Sequence, residues 1–223
     1  MCGRYTNQYE QLPLFFTKFE KTAELTPRYN IAPTQDVAVV TNMPKNERKI
    51  DFSRWGLIPS WAKDPKIGSR MINARSETLS EKPSFRNAYR KRRCLILADG
   101  YYEWVAVRGL EKKQPVYIRL KSQQSFAFAG LWEVWRGKNM EVPIQSCTII
   151  TCEPTDFLKK IHHRMPVILP PEDYEQWLDP NEQSPTSLQQ LLKPYEHEEM
   201  EAYAVSLLVN SPKNDTVECI API

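Results

Sequence analysis

Four stretches of this sequence gather side chains able to do chemistry. The chain opens Met1-Cys2-Gly3-Arg4-Tyr5, with a thiol one position from the terminus, where disorder is usual. Removal of Met1 turns Cys2 into a new terminus bearing an α-amine and a thiol on adjacent carbons. Aminopeptidases that trim an initiator methionine require a small second residue, and Cys is small. The second stretch, Ile72-Asn73-Ala74-Arg75-Ser76-Glu77-Thr78, follows an apolar start with four polar groups and one cation. Its ordinary reading is a turn with Asn73 bonded to its own backbone. In the third, Ala98-Asp99-Gly100-Tyr101-Tyr102-Glu103-Trp104, Asp99-Gly100 signals a tight turn between two strands. Glu103 then either faces water or is a partly buried acid whose pKa rises toward neutrality, which suits proton transfer. The stretch alone leaves both readings open. The fourth, Ile161-His162-His163-Arg164-Met165-Pro166, sets two of the chain's three histidines at a helix end. Such a His ordinarily caps the helix or faces solvent, though a helix end also places a ring at the mouth of a sheet. Together the four supply an amide, a carboxyl, an imidazole and cations beside an N-terminal Cys.

The elements that must position these groups are mostly strands. Apolar, β-branched and aromatic runs predict strands over Val37–Thr41, Ile50–Trp55, Leu95–Ala98, Tyr101–Val107, Val116–Leu120, Phe126–Val134, Ile144–Thr151 and Ala202–Val205. Short helices are expected over Ser84–Lys91, Thr155–Ile161, Pro171–Trp177 and Thr186–Leu192. A further helix over Asn7–Lys18 would turn Tyr9, Leu12, Phe15, Phe16 and Phe19 inward, with Pro13 limiting its first turn. Strands outnumber helices and do not alternate with them. The expected class is α+β, one domain over residues 1–223, with a mostly antiparallel, barrel-like core and short peripheral helices.

Composition bounds the rest. The 223 residues are 41% hydrophobic and 26% charged, as in ordinary globular chains. There is no apolar run long enough for a membrane span and no secretory signal, so a cytoplasmic protein is expected, nucleoid-associated if bacterial. Five scattered cysteines without a CxxC pair, and only three histidines, argue against a zinc site and for free thiols in a reducing compartment. No cofactor or metal is expected. The net charge of +3 says little about nucleic acid. Acid concentrates in Glu196–Glu201 and base in Arg86–Arg93, the latter read as a solvated helix face leading into a buried strand. Trp55 is expected in the core.

Six segments, taken in order, resemble the SRAP family (SOS response-associated peptidase domain). They are Met1–Tyr5, Arg28-Tyr29-Asn30-Ile31-Ala32-Pro33, Trp55-Gly56-Leu57-Ile58-Pro59, Ile72–Thr78, Ala98–Trp104 and His162–Pro166. Any one arises by chance; six in register over nearly the whole chain are specific. The resemblance implies a single α+β domain with a barrel-like core that binds single-stranded DNA and captures abasic sites covalently. It also implies a catalytic set of Cys2, freed by removal of Met1, with Asn73, Glu103 and His162. His163 falls at a position the family does not hold to histidine.

That chemistry suits these residue types. The ring-opened abasic sugar is an aldehyde, which an amine attacks to give an imine. A lysine with pKa near 10.4 is almost wholly protonated at pH 7, whereas an α-amine near 7.8 is neutral in roughly one molecule in ten. The neighbouring thiol can then close onto the imine carbon to give a thiazolidine, an intramolecular step favoured by effective molarity. Glu103 is expected to shuttle protons, His162 to protonate the sugar-ring oxygen, and Asn73 to hold the amine or the sugar. Arg4, Arg75 and Arg164 are expected to grip phosphates. Asn30, Pro33 and Trp61 are expected to stack on or block bases, more thinly than in relatives that carry a second aromatic where this chain has Ala62. The expected partner is single-stranded DNA containing abasic sites, with single-strand/double-strand junctions as a candidate setting, bound by a monomer. Two rivals are a cysteine-type peptidase acting at its own N-terminus and a non-catalytic single-stranded-DNA-binding module.

Overall fold

Arg93–Ala98 is buried at every position, as a strand covered on both faces must be. It lies at the centre of a computed structural model that describes residues 2–9, 12–137, 141–181, 184–195 and 197–223. In chain order the strands are β1 (Tyr5–Asn7), β2 (Glu20–Lys21), β3 (Arg28–Ile31), β4 (Asp36–Thr41), β5 (Lys49–Trp55), β6 (Asn73–Arg75), β7 (Arg93–Ala98), β8 (Gly100–Val105), β9 (Gln114–Leu120), β10 (Phe126–Trp135), β11 (Ile144–Cys152), β12 (Met165–Pro166), β13 (Ile168–Leu169) and β14 (Met200–Ala204). The helices are α1 (Leu14–Thr17), α2 (Arg86–Lys91), α3 (Asp156–Lys159), α4 (Tyr174–Trp177) and α5 (Pro185–Gln189).

Five strands close on themselves. β7 pairs with β4 and β10, β10 with β11, and β4 with β5, all antiparallel. The ring closes through a parallel pairing of β5 with β11, Arg54 opposite Ser146 and Trp55 opposite Cys147. A second sheet, ordered β14-β9-β8-β1-β3, is antiparallel throughout. One buried cluster joins the two, with Val39, Ile96, Phe128 and Ile149 from the barrel and Tyr5, Tyr101 and Ile118 from the second sheet. Burial of each large apolar side chain there contributes about 1.5–3 kcal/mol. The α+β class and its largely antiparallel barrel stand as expected, and each of the eight expected strands lies on an observed one.

The Asn7–Lys18 helix does not stand. Tyr5–Asn7 is a strand, inserted between β3 and β8. Tyr9 then takes a left-handed backbone, φ 62°, and helix begins only after Pro13. Its expected apolar face survives in part. Phe16 is fully buried, and Phe15 meets Phe16, Phe19 and Tyr174 edge-on. The sheet takes residues 5–7 because pairing on both sides satisfies their backbone, which a short helix broken by Pro13 would leave half-bonded.

Asp99-Gly100 is not a hairpin turn. β7 and β8 do not pair with each other; the chain crosses here from the barrel to the second sheet. The Asp99 carboxylate accepts hydrogen bonds from the Thr6 hydroxyl and the Gln8 N–H, tying the crossing to the N-terminal strand. Gly100 is required by contact: a Cβ there would lie 2.2 Å from the Tyr117 hydroxyl. The basic run is a solvated helix face at Arg86, Arg90 and Lys91, which are exposed, but not at Arg93. Arg93 is buried and donates to the carbonyls of Trp177, Tyr89, Arg90 and Asp179. Desolvation lowers its pKa to about 10, still high enough to keep it charged.

Candidate active site

Cys2 precedes β1 and is fully buried at the seam of the two sheets. Its thiol lies 3.8 Å from the Arg4 carbonyl. Burial, with the Glu103 charge adding, pushes the thiol pKa far above its ordinary value, so the sulfur is held as neutral S–H. The Cys2 carbonyl accepts a hydrogen bond of 2.9 Å from Asn73 Nδ2. Asn73 is therefore not bonded to its own backbone in a turn. It opens β6, which runs parallel to β11 with Asn73 opposite Ile149. Its Oδ1 is buried and has no hydrogen-bond partner among the described residues.

Glu103 points inward from β8 at 4% exposure, which decides between the two readings its sequence left open. Desolvation raises its pKa to about 7, so the carboxyl both gives and takes a proton near neutrality. His162 sits just past α3, whose first turn is capped by the Thr155 hydroxyl accepting from the Leu158 N–H. The His162 N–H continues the turn onto the Leu158 carbonyl at 2.9 Å. Its Nδ1 lies 3.8 Å from Glu103 Oε1 and takes the Arg164 N–H at 3.0 Å. Burial lowers its pKa and favours the neutral ring. The His163 ring stacks against it, centroids 4.2 Å apart. Cys2, Asn73, Glu103 and His162, spread over 160 residues of sequence, thus meet in one place.

The six residues expected to hold DNA are placed differently. Arg4 is half-buried and donates to Asn30 Oδ1 at 2.6 Å and to the Val209 carbonyl at 2.7 Å. Asn30 is fully buried, its Nδ2 facing the carbonyls of Val209, Ser211 and Asn214. Its side chain holds Arg4 and the C-terminal segment and presents nothing for a base to stack on. Arg164 is buried and forks onto Glu77 at 2.7 and 2.9 Å, with a third bond to the Thr151 carbonyl at 2.6 Å. Arg75 is exposed at the end of β6, and Pro33 is half-buried. Trp61 is 59% exposed beside a surface pocket that Lys63, Lys66 and Arg70 share. Trp55 is buried, its indole N–H on the Ile72 carbonyl.

Sequence reasoning missed three neighbours. Glu77 was visible only as one polar residue among several, yet the buried Arg164 fork demands a carboxylate. Lys113 precedes β9, and its charge favours ionised Glu103 and neutral His162. Tyr101 shares the inward face of β8 with Glu103, a placement the two-residue strand period foretells. Among the described residues no group of three or more His, Cys, Asp or Glu side chains is arranged to hold a metal ion, and no helix is long and apolar enough to cross a membrane.

Residues 1–212 match the family described as SOS response associated peptidase (SRAP). The chain belongs to the SRAP family. It is 48% identical over 229 residues to a Bacillus subtilis relative named abasic site processing protein YoaM, covering 99% of this chain and 97% of that one. It is 36% identical to abasic site processing protein HMCES of Pongo abelii, covering 88% of this chain and 65% of the relative. Among solved structures, a protein from Bacteroides thetaiotaomicron superposes with a TM-score of 0.76 at 30% identity, over 87% of this chain and 84% of that one. A Bordetella bronchiseptica protein gives 0.75 at 28%, over 92% and 100%. In this chain the four clustered residues come from the segment before β1 (Cys2), from β6 (Asn73), from β8 (Glu103) and from the turn after α3 (His162).

Proposed function

We propose that this SRAP protein processes abasic sites in DNA by covalent capture, acting as a monomer on single strands and at their junctions with duplex. The observation that carries the reading is Cys2 held through its own carbonyl by Asn73, beside a Glu103 carboxyl that titrates near pH 7. With Met1 attached the Cys2 nitrogen is an amide and adds to nothing, so removal of Met1 is the first requirement. Met1 itself lies outside the described residues.

The free α-amine adds to the C1 carbon of the ring-opened sugar, and a proton passes from its nitrogen to the carbonyl oxygen to give a carbinolamine. Protonated Glu103 delivers a proton to that hydroxyl, water leaves, and the nitrogen's remaining proton returns to the Glu103 carboxylate as the imine forms. The Cys2 sulfur then bonds to the imine carbon and its proton passes to the imine nitrogen, closing a thiazolidine. One water is released overall. A thiol kept neutral by burial is a poor first nucleophile, so the amine leads and the sulfur follows. Neutral His162 stands 3.8 Å from Glu103, and once protonated through it serves the ring oxygen as the sugar opens. Arg75 and Trp61 are the exposed groups for a flanking phosphate and base. Arg4 and Arg164 reach a phosphate only by sharing guanidinium groups that already hold Asn30 and Glu77.

An oligonucleotide with one abasic site tests this. The mature wild type is expected to give a heat-stable shifted band that Cys2→Ala lacks; a wild type that only retards the DNA would leave a binding module. The family description favours one rival, peptidase action on the chain's own start. Intact mass of wild type made by cell-free synthesis with methionine aminopeptidase inhibited separates it: trimming by an aminopeptidase leaves Met1 in place there, whereas self-cleavage removes it and Cys2→Ala keeps it.

A further inference from the structure

Strand β8 alternates its aromatic side chains between two faces. On one face the polar atoms are paired: the Tyr102 hydroxyl donates to the Tyr29 carbonyl at 2.6 Å, and the Trp104 indole N–H to Asn210 Oδ1 at 2.7 Å. On the other face stand Tyr101 and Glu103. Tyr101 is 1% exposed, and its hydroxyl has no hydrogen-bond partner among the described residues. Together with Glu103, Ile118, Leu158 and His162 it lines one narrow crevice. Its ring is fixed from behind by Phe128, edge-on at 6.2 Å, and by β1, where Tyr5 is its register partner.

A buried hydroxyl with no partner costs about 1–3 kcal/mol. Native folds carry few of them, and each calls for an explanation. The apolar remedy is a single atom away, since phenylalanine would fill the same volume with no polar group to satisfy. Burial, reinforced by the Cys2 and Glu103 side chains, holds the phenol far above its ordinary pKa. It is a neutral donor at every physiological pH. A cation in its place would pull the Glu103 pKa down and spoil its proton transfer.

We propose that Tyr101 is a further catalytic residue, its hydroxyl donating a hydrogen bond to the aldehyde oxygen of the ring-opened sugar while the Cys2 amine adds to the carbon. The inference rests on the abasic-site capture proposed above and names the group that polarises the carbonyl. The phenol keeps its proton throughout. The bond strengthens as negative charge builds on the oxygen, as a preorganised donor in a buried crevice should. Glu103 still supplies the proton that leaves with water.

Tyr101→Phe tests this, because it deletes the hydroxyl and nothing else. Three quantities are measured on mature protein: the single-turnover rate of heat-stable crosslinking to an abasic oligonucleotide, affinity for the same strand without the lesion, and the thermal unfolding midpoint. The rate is expected to fall on the order of a hundredfold, with affinity unchanged and the midpoint at or above wild type. A wild-type rate in Tyr101→Phe overturns the role of Tyr101 alone. A slower rate with a lowered midpoint also overturns it, by making the hydroxyl structural. A wild type that leaves the abasic strand unlinked overturns the capture chemistry and this inference with it.

Discussion

At 4% exposure the Glu103 carboxyl loses most of its hydration, and its pKa rises from the ordinary carboxylate range to about 7. The folded pKa therefore exceeds the unfolded one. The stability this confers is present below the unfolded pKa of about 4.3 and is lost as pH rises through 7, with an upper bound of about 4 kcal/mol. Glu103→Gln keeps the shape without the ionisation. Its thermal midpoint is expected to exceed wild type by several degrees at pH 8 and to match it near pH 4. Calorimetry at the two pH values checks this, and a parallel loss in both proteins would refute a raised pKa. Crosslinking by Glu103→Gln is expected to slow by roughly 10²–10⁴ with affinity for the strand retained.

Elements aim these residues, and the crossing at Asp99-Gly100 aims most of them. It passes the chain from β7 to β8, anchors β1 through Thr6 and Gln8, and so fixes Cys2 against Glu103. Its weak point is Gly100, where Ala would push a carbon into the Tyr117 ring. That ring packs against Tyr102 and Tyr203, and its hydroxyl meets Thr6 at 2.8 Å, so it has little room to yield. Gly100→Ala is expected to cost about 1–3 kcal/mol, read as a lower urea midpoint, and to slow crosslinking by displacing β1. An unchanged midpoint would mean that the Tyr117 ring moves aside freely. A hairpin reading of Asp-Gly is natural from local sequence, because the same pair that favours a turn also serves a tight crossing between sheets.

For the molecule as a whole a net charge of +3 hides an uneven distribution. Arg93 and Arg164 are buried, and Arg28 and Arg119 are held by Asp215 and Glu201. Besides the α2 face at Arg86, Arg90 and Lys91, exposed base lies around Trp61, at Lys63, Lys66 and Arg70, and at Arg75. If strands bind there, Trp61→Ala should weaken single-stranded DNA by about 1–3 kcal/mol whatever its sequence. Arg75→Ala should flatten the salt dependence of binding by about one phosphate contact. Fluorescence anisotropy between 50 and 200 mM salt (roughly the range in which such slopes are resolved) reads both, and unchanged affinity and slope would move the DNA to another face.

Local sequence was enough for the class of fold and for the choice of the groups proposed to react. Eight strands were legible because alternation and β-branched content are local properties, and the six family segments carry their residue types wherever the chain goes. Long-range packing sets which way Glu103 faces, that residues 5–7 join a sheet, and that Asn30 turns inward to hold Arg4. It alone closed the barrel through β5 and β11. Each of these depends on partners far apart in sequence: Asn73 meets Cys2 across 71 positions and Arg4 meets Val209 across 205. A short window holds only one side of such a bond, and burial, which sets the Glu103 pKa, exists only when both sides have met.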